Sequence, residues 1–233
     1  MINTAYCGPP PLPVDLWTSF NLDPLLLIGL MALCVVVRRH PPGLLAVGVL
    51  AIAFVSPLCA LSAALFSARV VHHVLLIAVA APLFALAFPA RRAGSLTVPF
   101  ALSTVALWVW HLPAAYDAAL SNVPLYWIMQ LTLLGSAAWF WRALLTKGRS
   151  PVDQLVFIVT AFAQMGLLGA ILTFAATPLY AAHAVAPYAW GLTPLEDQAL
   201  GGLVMWVPAG VPYAVAAVLV ARRSWGRLTG VVA

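Results

Sequence analysis

Long apolar runs, broken only by proline, glycine, arginine or short polar turns, occupy this chain from residue 24 onward. Seven of them lie near 24–38, 43–66, 69–88, 95–112, 123–145, 152–176 and 197–221, the first being the shortest. A bilayer core of ~30 Å takes about 20 apolar residues of helix. The runs do not alternate apolar with polar residues, and each exceeds the ~10 residues of a barrel strand, so helices are expected rather than a closed β-barrel. Composition points the same way: 64% hydrophobic and 7% charged residues over 233 positions exclude an ordinary soluble domain. The expected fold is an all-α integral membrane protein with seven transmembrane helices. Residues 1–23 would form an outer N-terminal segment, 24–221 the helical domain and 222–233 a basic cytoplasmic tail.

Basic residues set the expected orientation. With loops assigned alternately to the two sides, Arg38, Arg39, Arg91, Arg92, Arg142, Lys147, Arg149, Arg222, Arg223 and Arg227 fall together, leaving Arg69 on the other side. Ten against one makes the larger set cytoplasmic, the amino terminus outer and the carboxyl terminus cytoplasmic. A net charge of +5 is then a topology signal facing an anionic leaflet, and no nucleic-acid partner is expected. The first 23 residues lack the basic start of a signal peptide and are too polar and proline-rich to span. Cys7, Cys34 and Cys59 fit no metal-binding spacing; Cys34 and Cys59 read as small buried hydrophobes, and Cys7 as a free outer thiol or soft ligand.

That orientation gathers the histidines. His72 and His73 start the third run at its outer end, His111 ends the fourth, and His183 lies in the outer loop before the last, with only His40 inside. At 1.5 Å per residue His73 lies only ~6 Å from the start of its span, so a shallow outer pocket is within reach. Asp117, Glu196, Asp197 and Met205 approach the same side. Adjacent residues point ~100° apart on a helix, so one of His72 and His73 is expected to face the bundle and the other to cap or meet lipid headgroups. Pro113 is expected to end the fourth helix near Leu112, bringing His111 beside free carbonyls.

Two acids have local explanations. In TPLE, residues 193–196, Thr193, Pro194 and Glu196 match a capping box with proline at the first helical position. Ser150, Pro151 and Asp153 repeat the device. Asp197 is left without a local role. Gln198, Gly202 and Met205 share a stripe expected to face protein, with Gly201 and Gly202 admitting a close backbone. Gln130 and Gln164 are interior candidates for interhelical hydrogen bonds.

Imidazole and thioether suit Cu(I), and imidazole with carboxylate suits Cu(II) or zinc, so His73, His111, Met205 and Asp197, with His72, are candidate copper ligands. Arg69, one turn before His73, opposes a bound cation unless Asp197 or Asp117 neutralises it; an Arg69–carboxylate pair is therefore expected. No phosphate loop, G-x-S-x-G or H-E-x-x-H is present, so no enzyme is expected. The lone lysine, Lys147, lies at a cytoplasmic turn and excludes a retinal Schiff base within a span.

The elements FSARVVHHVLLIAVAAPL (66–83), LWVWHLPAAYDAAL (107–120) and WGLTPLEDQALGGLVMWVP (190–208) resemble, in order and spacing, the CtaG family of assembly factors for caa(3)-type cytochrome c oxidase. The likeness runs from about residue 22 to 221, and D-Q-x-x-G-G-x-x-M-W is its most specific part. The resemblance implies a seven-helix protein of the bacterial cytoplasmic membrane that helps place copper in the oxidase. Its partners would be oxidase subunits, a periplasmic copper chaperone and membrane lipids. By motif, His73, His111, Asp197, Gln198 and Met205 carry over. Arg69, Tyr126 and Gln130 stand where the family pattern has histidine, which removes possible ligands. Two rivals remain: a scaffold of a respiratory complex that binds no metal, and a haem carrier using His73 and His111 as axial ligands.

Overall fold

Proline positions most of the helix starts. Six helices carry it at their first residue: α1 (Pro24–Val37), α2 (Pro41–Phe54), α3 (Pro57–Ala64), α7 (Pro113–Ser121), α9 (Pro151–Thr173) and α10 (Pro194–Trp206). There the missing N–H costs nothing and the fixed φ favours the first turn. Between them lie α4 (Phe66–Val74), a π-helical turn Leu75–Ala80, α5 (Ala81–Ala87), α6 (Thr97–Val109), α8 (Val123–Leu144) and finally α11 (Gly210–Thr229). This computed structural model describes residues 6–229, with side chains as far as residue 225. Residues 1–5 and 230–233 of the expected terminal segments, and the Arg227 side chain, lie outside the described residues. Helix α11 continues from the last apolar run into the basic tail as far as Thr229.

Among the described residues, four stretches are long and apolar enough to cross a membrane: Phe66–Ala87, Val123–Leu144, Pro151–Thr173 and Pro194–Trp225. Counting each bent pair as one span, α2 with α3 at 48° and α6 with α7 at 77°, gives up to six. Helix α1 is apolar but only 14 residues, or about 21 Å, long. The second expected run, 43–66, is thus two helices. Ser56 accepts from the Leu58 N–H as the N-cap of α3, the same Ser-Pro start that opens α9. The fourth run stops at Val109, three residues before the expected Leu112, and the chain then turns sharply into α7.

Inside the third run, Pro82 cannot donate to the carbonyl four residues back, and the ladder loosens just ahead of it. The Ala81 N–H reaches Leu76 instead of Ile77, and the freed Ile77 carbonyl accepts the Trp141 indole N–H at 2.9 Å. That bond ties α8 to the middle of the span.

Helix α10 lies between α4 and α9. Gly201 meets Phe66 and Val70 of α4, while a Cβ at Gly202 would come within 2.5 Å of the Gly169 carbonyl oxygen of α9. The expected close backbone is present at Gly202, whereas Gly201 meets side chains only, and the stripe of Gln198, Gly202 and Met205 is buried. Replacing Gly202 by alanine should lower stability by roughly 1–3 kcal/mol through overpacking. Gly29→Ala, where a Cβ meets nothing within 4 Å, should not; thermal unfolding of both variants in detergent checks the contrast.

Candidate functional site

Helix α4 begins without a cap of its own: Leu65 occupies the N-cap position and offers no side-chain acceptor. Asp197 of α10 supplies one. Its carboxylate accepts from the Phe66 N–H at 2.6 Å, the Ser67 N–H at 3.1 Å and the Ser67 hydroxyl at 2.5 Å, all buried. A carboxylate at a helix N-terminus gains from the charge-assisted bonds and from the helix dipole. Asp197, the acid with no local role in the sequence, therefore holds two distant helices together. An uncapped helix start facing a lone acid was the signal for it.

One turn into α4, Arg69 is fully buried and makes no ion pair among the described residues. Its Nε donates to the Ser62 carbonyl at 3.2 Å and one terminal nitrogen donates to the Tyr126 hydroxyl at 3.4 Å, with the guanidinium 5.3 Å from the Tyr126 ring centre. The expected Arg69–carboxylate pair is not formed. Asp197 is taken by the start of α4, and Asp117 accepts from the Ala181 and Ala182 N–H groups of the short 3₁₀ turn Ala181–His183. Tyr126, absent from the expected site, is the residue that receives Arg69.

Both adjacent histidines are buried, His72 at 0% and His73 at 3% exposure. His72 neither caps nor meets lipid headgroups as expected for one of the pair; its ring packs edge-on to Phe54 of α2, with centres 4.7 Å apart. The rings of His72 and His73 are 5.8 Å apart, and those of His73 and His111 6.0 Å. His111 sits in the turn between α6 and α7, where its Nδ1 shares a 2.7 Å hydrogen bond with the Leu107 carbonyl, the helix-end placement that was expected. Met205 packs against Gly169 on the α9 side of α10. Among the described residues, no three His, Cys, Asp or Glu side chains are placed to hold one metal ion.

Among the described residues, most of the buried polar atoms without a hydrogen bond belong to four side chains: Nη2 of Arg69, both ring nitrogens of His72 and of His73, and the amide of Gln130. Each orphan buried group costs ~1–3 kcal/mol, so this cluster is where the fold calls most strongly for a bound partner. Gln130 lies one turn below Tyr126 on the same face of α8 and does not form the interhelical bond expected of it. Gln164 does, accepting from the Trp108 indole at 3.1 Å. Gln198 bridges the Leu179 N–H and the Leu172 carbonyl. Glu196 and Thr193 form the expected capping box, and Ser150 caps α9 through the Asp153 N–H.

Two expectations for the cysteines are corrected. Cys7 is not a free thiol and Cys59 is not a lone hydrophobe; the two form a disulfide across 52 residues. It ties the N-terminal strap to α3, where Tyr6 stacks on Tyr126 and bonds Asp23 at 2.6 Å.

These features define a multi-span helical membrane protein with a polar cluster buried between its helices. A family model described as the cytochrome c oxidase caa3 assembly factor matches residues 91–227, more than half the chain. The chain belongs to that family. The matched stretch includes His111, Asp197, Gln198 and Met205 but ends short of Arg69, His72 and His73. No curated protein and no solved structure matches the chain.

His183 is enclosed between the Tyr116 hydroxyl at 2.7 Å and the Ala64 carbonyl at 3.3 Å. Burial, reinforced by the charge of Arg69, pushes its pKa down from 6.5 to about 4. The unfolded chain then binds the proton first, so stability falls as pH drops from 6.5 toward 4 and levels off below. The expected loss is about 3 kcal/mol. Melting curves across that range should show this component for the wild type and lack it in His183→Gln.

Proposed function

We propose that this assembly factor works in the bacterial cytoplasmic membrane with its amino terminus outside, presenting the His73–His111 pair to cuprous copper on its way to the oxidase. Copper is here cargo, delivered by a periplasmic chaperone and passed to an oxidase subunit. The supporting observation is the meeting of two buried imidazoles, one on α4 and one in the turn between α6 and α7, with both nitrogens of His73 unpartnered and only Nδ1 of His111 engaged. Imidazoles are suitable copper ligands. Two ligands without a carboxylate, beside the Arg69 charge, favour weak holding and ready release over a resident metal.

Two observations support the orientation. The basic residues divide ten to one, and the Cys7–Cys59 disulfide suits an oxidising compartment on the side of the N-terminal strap. Adding α1 to the six candidate spans gives the odd number, seven, that an outer amino terminus and a cytoplasmic carboxyl terminus require.

A second reading, a scaffold that docks on the oxidase without metal, is favoured by the engagement of Asp197 at α4 and the uncompensated Arg69. Cuprous titration of the purified protein against a chromogenic chelator separates the two. The copper reading expects about one Cu(I) per chain and at least tenfold weaker uptake in His73→Ala, a loss of about 1.4 kcal/mol. Equal uptake by both proteins, or none by either, would leave the scaffold.

Single cysteines introduced in a Cys34→Ala background test the topology. Tyr188→Cys, at a site 61% exposed, should react with an impermeant maleimide in intact cells, and Ala93→Cys only after lysis. The reverse pattern would overturn the orientation.

A further inference from the structure

Helices α1, α2 and α8 enclose an open cleft of about 600 Å³, within the size range of small-molecule sites. Its walls are leucine: Leu26, Leu30 and Leu33 from α1, Leu50 from α2 and Leu134 from α8. Phe54 and Trp127, stacked with centres 5.4 Å apart, back it toward the imidazoles. Two polar features interrupt this surface. Asp23 lies at the rim, where it caps α1 and accepts from the Tyr6 hydroxyl. Gln130 lies deeper, about 10 Å along α8 from Val123, with both amide atoms buried and in no well-formed hydrogen bond, the amide approaching only the Tyr126 hydroxyl one turn away. Among the described residues, no lysine or arginine lines the cleft.

From this arrangement we infer that the cleft is a binding site for one zwitterionic aminophospholipid. By rise along α1 and α8, the carboxylate comes first at the rim, with Leu26 just inside it, then the amide about level with Leu30, and Leu33 and Leu134 beyond. Along such a lipid the order is ammonium, ester carbonyl, acyl chain. The Gln130 amide donates to an ester carbonyl, which removes an unmet buried donor that a bare hydrocarbon chain would leave unmet. The Asp23 carboxylate selects the ammonium and disfavours an anionic headgroup, which would find no basic residue there. The acyl chain lies along the leucines, with the phosphate in the hydrated rim. Short α1, which packs chiefly on α2, would gain a second contact surface through the lipid. The site does not use His73 or His111 and stands apart from the copper reading.

Native mass spectrometry on the delipidated full-length protein, given equal amounts of dioleoyl phosphatidylethanolamine and phosphatidylglycerol, tests the inference. One retained lipid is expected, the ethanolamine form preferred about fivefold, on the order of one buried polar interaction. Asp23→Asn keeps the cap of α1 and should abolish the preference. Gln130→Leu should weaken retention of either lipid about fivefold. Gly29→Phe places a ring where nothing lies within 4 Å of a Cβ and should block the cleft while leaving the melting temperature and cuprous uptake in place. Equal retention of the two lipids by the wild type, undiminished retention in Gly29→Phe, or displacement of both lipids by a neutral quinone would each overturn it.

Discussion

A single carboxylate sets the arrangement from which the polar cluster follows. Asp197 enters the start of α4 and satisfies two backbone N–H groups and a hydroxyl that the sequence around Leu65 leaves without acceptors. In a lipid environment those donors have no water to turn to, so the bond between α10 and α4 is worth more than a surface cap. It also fixes the rotation of α4 about its axis. Arg69, His72 and His73 then face inward, toward Tyr126, Phe54 and His111 in turn. Gly201 permits the approach, since a larger residue there would meet Phe66 before the carboxylate reached its donors.

The cost of that arrangement falls on Arg69. Its charge is buried, and the candidate carboxylates, Asp197 and Asp117, are engaged elsewhere, leaving a carbonyl, a phenol and an aromatic face to receive it. Such a guanidinium retains a strong field in a low-dielectric interior. On the proposed copper reading, an ion beside His73 would feel that field and be held weakly.

Helix positions were legible in the sequence because apolar length and Ser-Pro, Thr-Pro and Asp-Pro starts are local signals. Runs expected at 123–145 and 152–176 are helices at Val123–Leu144 and Pro151–Thr173. The division of 43–66 was written at Ser56–Pro57 but hidden by the continuous apolarity on either side. The π-helical turn followed from Pro82, although proline alone does not say whether a helix kinks, breaks or widens. Partners across the bundle were less legible. Charge arithmetic paired Arg69 with an acid, whereas helix-end donors on α4 claimed Asp197, and no local pattern reports that competition. The Cys7–Cys59 pair likewise spans 52 residues with no spacing motif to announce it.

That disulfide joins the polar cluster to the covalent frame. Closing a loop of this length removes conformations from the unfolded chain, an effect typically worth 2–4 kcal/mol. It also holds Tyr6 and Cys7 over Tyr126, whose hydroxyl lies 3.4 Å from the Cys7 sulfur and receives Arg69. The strap, α3, α4 and α8 therefore converge on one phenol. Because Ser62 of α3 holds the other side of the guanidinium, the staple that fixes α3 to the strap also fixes both of Arg69's hydrogen-bond partners. The buried charge is thus held in place by covalent and packing constraints in the absence of an opposite charge.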